Sequence, residues 1–160
     1  MKSLINSIVV AVTGTDASIL AAKYGIVMAK LYNCKLTAVY VIDTATIRQL
    51  TLSRIFIQEE AAEYERSLEN NGNRYLSFVE ELAAAKGVKT ERVMRRGAIF
   101  TEIITAAEEK KADLILLGGW EKDTKTSDII GHSHREIMAN AKCSVMLVKE
   151  PQIDQIYKKL

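Results

Sequence analysis

Short apolar runs alternate along this chain with longer segments whose apolar positions recur every three or four residues. Ile8-Val9-Val10-Ala11-Val12 is the first run, apolar at successive positions as a strand covered on both faces must be. Thr13-Gly14-Thr15-Asp16-Ala17-Ser18 follows, with glycine for a tight turn and Thr15, Asp16 or Ser18 as a helix N-cap. Ile19, Ala22, Ile26 and Ala29 then mark one buried helix face, and residues 36 to 42 form a second strand.

From Thr44 to Lys86 the pattern is helical, with Glu59, Glu60, Glu63, Glu65 and Arg66 on a solvated face. Asn70-Asn71-Gly72-Asn73 is its weak point, so one kinked helix and two helices both satisfy the pattern. Gly87 suits a C-cap, and residues 88 to 95 carry enough charge for a strand at a sheet edge. A helix from Gly97 to Lys111, a strand from Asp113 to Leu117, a helix from Gly131 to Ala141 and a strand from Ser144 to Val148 complete the order. The lone proline, Pro151, closes the pattern. Residues 151 to 160 read as a tail in which Ile153, Ile156 and Leu160 either dock on a partner subunit or fray. Strands alternating with helices predict βαβ units and a mostly parallel sheet.

A length of 160 residues with 48% apolar content suits one domain, here taken as residues 1 to 150, with one core. Lys plus Arg number 22 against 20 Asp plus Glu, and their scatter along the chain argues against nucleic acid. No apolar run approaches the roughly 20 residues of a membrane span, and no signal-peptide pattern precedes the first strand, so a cytosolic protein is expected. Cys34 and Cys143 show neither metal-ligand nor disulfide spacing and read as reduced thiols near the core.

Several pieces together resemble the universal stress protein family. They are the first strand with Gly14-Thr15-x-x-Ser18, Val39-Tyr40-Val41-Ile42-Asp43, Gly97-x-x-x-x-Glu102-Ile103, residues 112 to 118, and Cys143-Ser144-Val145-Met146-Leu147-Val148. The resemblance covers residues 5 to 149. It implies a doubly wound α/β fold, Rossmann-like and similar to the adenine nucleotide alpha hydrolases, with a five-stranded parallel sheet ordered 3-2-1-4-5. It also implies a homodimer formed through the last strand. Ligands in such sheets gather where the strand order reverses, which places Thr13, Gly14 and Gly118 at the expected cleft.

Many members of that family bind ATP through Gly-x2-Gly-x9-Gly-Ser/Thr. Here Gly118 and Gly131 match the first and third glycines, while Glu121 replaces the second and His132 the Ser/Thr. Thr13 replaces an aspartate common at the end of the first strand. The resemblance places an adenine nucleotide, ATP or AMP, with its base near Thr13 and the backbone of Val41. Its phosphates fall near Gly118, Gly131, His132 and Ser133, where a helix start would offer unpaired N–H groups. Glu121 adds bulk and negative charge, so the cleft is expected to be partly degenerate.

Nothing in the sequence assembles a nucleophile with a base, and the G-x-x-x-x-G-K-[ST] phosphate loop is absent. The expected action is binding, not turnover, with no metal site: His132 and His134, two apart on a helix, point in different directions. Trp120 reads as a base-stacking ring or as cover for apolar surface. The alternatives are a dimeric interaction module that binds no nucleotide, accessory to a transporter or a kinase, and a nucleotide-hydrolysing enzyme on the same architecture.

Overall fold

The computed structural model describes residues 3–119 and 127–160, the side chains of 127–130 excepted. Trp120 and Glu121 lie outside the described residues. Five strands, β1 (Ser7–Ala11), β2 (Lys35–Asp43), β3 (Thr90–Gly97), β4 (Leu114–Gly118) and β5 (Ser144–Val148), form one parallel sheet in the order β3-β2-β1-β4-β5. The helices are α1 (Asp16–Tyr32), α2 (Thr44–Leu52), α3 (Gln58–Ala84), α4 (Ile99–Glu109), α5 (Ser127–Asn140) and α6 (Ile153–Lys159).

Because side chains alternate across a strand, β1 feeds two cores at once. Ile8 and Val10 join the layer under α1, α3 and α6, and Val9 and Ala11 join the layer under α4 and α5. Asp113 registers β4 against β1, its carboxylate accepting from the N–H groups of Asn6 at 2.7 Å and Ser7 at 3.1 Å.

The helical segment from Thr44 divides at Ser53–Ile57, not at Gly72. Gly72 lies inside the continuous α3 because the helix presses on β2 there: a Cβ at Gly72 would sit 2.5 Å from the Tyr40 ring. The glycine that weakens the helix by propensity is the residue that lets it pack. The division further upstream uses Arg54 at φ 59°, after which the chain turns back into α3. The third strand starts at Thr90 and the helix before β5 starts at Ser127, each shifted from its expected place.

The C-terminal residues dock on their own chain. Ile153 and Tyr157 are buried, the Tyr157 hydroxyl donates to the Leu82 carbonyl at 2.6 Å, and Lys23 pairs with Asp154 at 2.5 Å. Thus α6 ties α1 to α3.

Candidate functional site

A cavity of about 240 Å³ opens where β1 and β2 finish. Ala11, Val12, Tyr40 and Val41 line it from the sheet, and Thr13, Thr15, Asp43 and Thr46 bring its polar groups. Tyr64 and Leu68 of α3 and Ile99 and Ile103 of α4 complete the lining. Apolar walls with a few polar groups at one side suit a flat, mostly apolar ring that carries polar substituents.

The polar residues are ordered by local capping. Thr15 is the N-cap of α1, its Oγ1 accepting from the Ser18 N–H at 3.1 Å, and Ser18 Oγ donates to the Thr15 carbonyl at 2.9 Å. The Thr13 N–H donates to Ser18 Oγ at 3.1 Å, and the Thr13 and Thr15 hydroxyls lie 3.0 Å apart. Gly14 takes φ 81°, and a Cβ there would stand 2.4 Å from the Tyr75 ring, so glycine is required by conformation and by space. Asp43 caps α2, accepting from the Thr46 N–H at 3.0 Å and hydroxyl at 2.6 Å. Burial raises the Tyr40 hydroxyl above the ordinary tyrosine value, with Tyr75 and Tyr64 adding to the effect, so it faces the cavity neutral.

The residues expected at the site divide into two groups. Thr13 and Val41 line the cavity, whereas Gly118, Gly131, His132 and Ser133 do not. Gly118 ends β4 against the first turn of α1, where a Cβ would meet the Ala17 carbonyl carbon at 2.6 Å and the Ser18 nitrogen at 2.8 Å. Its lack of a side chain is fully explained by that approach. Gly131 lies one turn inside α5, not at its start, so its N–H falls within the helical ladder and the unpaired amides belong to the turn beginning at Ser127. Ser133 is buried and His132 is exposed, its ring edge-on to Phe100 at 6.1 Å, next to cavity-lining Ile99. His134 is buried, and desolvation lowers its affinity for a proton. Among the described residues no cluster of His, Cys, Asp or Glu has the makings of a metal site.

Tyr64, Leu68 and Thr46 escaped the sequence reading. Tyr64 and Leu68 carry a signal, an apolar pair at i and i+4 on a helix otherwise rich in charge, but nothing local says which strand ends that helix crosses.

The universal stress protein family model matches residues 5–149. The chain belongs to that family. A universal stress protein of Methanocaldococcus jannaschii is 32% identical over 151 residues, covering 94% of this chain and 86% of that one. A family protein of Burkholderia pseudomallei superposes with a TM-score of 0.73 at 18% identity, covering 94% of this chain and all of that one (100%). A family protein of Arabidopsis thaliana with AMP bound gives 0.65 at 15% identity, covering 93% and 94% of the two chains. Two further universal stress protein structures are a complex with cAMP, at a TM-score of 0.67, and one from Archaeoglobus fulgidus with dAMP, at 0.62. At these identities the solved structures establish the fold. None of this chain's helices among the described residues is long and apolar enough to cross a membrane.

Proposed function

We propose that this universal stress protein is a cytosolic regulatory protein that binds an adenine nucleotide, AMP or ATP, in the cavity at the ends of β1 and β2, and that it acts by binding, not by turnover. The observation that carries the reading is the cavity itself. It lies beside the point where the strand order reverses, it is lined by Thr13 and Val41, and its walls are mostly apolar with a few polar groups. Relatives of the same fold that hold AMP, dAMP or cAMP support the ligand class. The base enters between Val41 and Leu68, and the sugar and phosphates leave the cavity past Thr13 toward Gly118, Gly131, His132 and Ser133. His132, the exposed member of that set, supplies a ring N–H donor. The functional unit is a homodimer paired through β5, an edge strand whose Val145, Met146 and Leu147 are only half-buried.

Titration calorimetry with AMP and with ATP tests the reading. Saturable binding is expected, lost in Leu68→Trp, whose larger ring occupies the base position, and tightened in Glu121→Gly, which removes a negative charge and restores the second glycine of the family's motif. Absence of heat with both nucleotides, or unchanged affinity in Leu68→Trp, refutes the cavity as the nucleotide site.

A further inference from the structure

We propose that this chain also associates head to tail with copies of itself, the corner between α2 and α3 of one copy entering a lysine-lined groove at the opposite end of the next. The inference is independent of nucleotide and of pairing through β5.

The corner exposes apolar side chains. Leu52, Ile55 and Ile57 are 74%, 65% and 59% exposed within six positions, while the Phe56 and Tyr64 rings pack on each other at 5.6 Å beneath them. Contiguous exposed apolar surface of this kind marks an interaction site more often than a bare surface. Beside it stand Glu59, Glu60 and Glu63, all exposed and engaged in none of the ion pairs among the described residues. Glu60 and Glu63 line a shallow hollow together with Phe56 and Tyr64. Arg48 and Arg54 belong to α2 and its exit, so the carboxylate face is the α3 side of the corner.

The groove is concave and basic. It measures about 1080 Å³ and runs across the beginnings of β1, β2 and β3, lined among others by Lys30, Lys35, Lys89 and Lys110. Its two carboxylates are already engaged, Glu91 by Lys110 and Glu109 by Arg95. Lys30, Lys35 and Lys89 are exposed and make no ion pair among the described residues. Leu31 and Tyr32, 66% and 59% exposed, sit between groove-lining Lys30 and Asn33 and offer apolar surface to match the corner.

Charge and apolar character are therefore complementary between the two surfaces. They lie at opposite ends of the strands, since α2 leaves the finish of β2 and the groove spans the starts of β1 to β3, so no copy can fill its own groove. The contact is heterologous, so an open assembly keeps one free corner at one end and one free groove at the other. A single corner buries little surface, which makes the association weak, and its charge pairing makes it sensitive to salt.

Sedimentation velocity at low salt, over a concentration series of the full chain, tests it. A corner variant carries Ile55→Ser, Glu60→Lys and Glu63→Lys, and a groove variant carries Lys35→Glu and Lys89→Glu. All five positions are exposed, and circular dichroism checks that both variants fold. The sedimentation coefficient of the wild type is expected to rise with concentration. Each variant alone weakens that association by about tenfold or more. Mixing the two variants restores a larger species, because one supplies an intact corner and the other an intact groove. A wild type with no concentration dependence, association in either variant equal to wild type, or a mixture that fails to recombine overturns the proposal.

Discussion

The two ends of this sheet are built from the same strands and helices and differ in packing and in charge. Among the described residues the finishing end is closely packed at its glycines, Gly14 lying under Tyr75 and Gly118 against the backbone of α1, and a small, mostly apolar cavity opens beside them. At the starting end a wide groove stays open and lysines gather round it. The cause is topological. A parallel sheet makes its crossover helices run back, so their first turns collect at one end and their last turns at the other. Local preference then puts Asp16, Glu59, Glu60 and Glu102 in first turns and Lys30 in a last turn, with Lys86, Lys110 and Lys111 just past other helix ends. Lys30 and Lys110 thereby join Lys35 and Lys89 round the groove, although the chain's formal charge is only +2.

The packing contrast is sharpest at its glycines. Gly118→Ala is expected to destabilise by about 3 kcal/mol, because the new methyl meets backbone atoms that cannot swing aside, and urea denaturation measures it. Gly87→Ala at the open end costs about 1 kcal/mol: its φ of 71° is strained for alanine, but the nearest obstacle is the mobile Lys30 ammonium at 3.3 Å. Equal losses at the two sites erase the distinction between a packed and an open end.

Smaller changes probe how each end is tied together. Thr15→Ala removes the α1 cap and the hydroxyl partner of Thr13, with an expected loss of about 1 kcal/mol in the same assay and weaker nucleotide binding in calorimetry. Tyr157→Phe deletes the bond from α6 to the Leu82 carbonyl, for a loss near 1 kcal/mol or less and no effect on nucleotide affinity.

The smallest effect is a slope with pH. Burial lowers the folded proton affinity of His134 below its ordinary value of 6.5, so the unfolded chain binds that proton more readily. The histidine's contribution is therefore complete above pH 6.5 and is lost as the pH falls below it. Urea midpoints measured downward from pH 7 should fall more steeply for the wild type than for His134→Gln. Parallel profiles refute the assignment.

Much of the fold is legible in the chain, because apolar periodicity and capping are local. The strand order and the edge position of β5 agree with what the family resemblance implied, and Thr15, one of three candidates, is the cap of α1. Gly72 misleads because propensity weighs a glycine alone, without the Tyr40 ring that needs its space. Ser53–Ile57 misleads in the opposite sense, because it falls within the Thr44 to Lys86 segment that reads as helical but there the chain turns and leaves Ile55 and Ile57 exposed. At the candidate site Thr13 is reachable because it follows a strand end, the place where α/β sheets bind ligands, whereas Val41 is named by the family resemblance.

The sequence by itself determined where the five strands and most of the helices lie, and it narrowed the cap of α1 to Thr15, Asp16 or Ser18. Periodicity and capping act over a few residues, so they are written in the order of the chain. Only the tertiary structure decided that Tyr64 and Leu68 of α3 complete the cavity, that α6 returns to its own α1, and that Lys30, Lys35 and Lys89 share a groove. Those groupings depend on where distant segments cross, and only the packing of helices on the twisted sheet fixes those crossings.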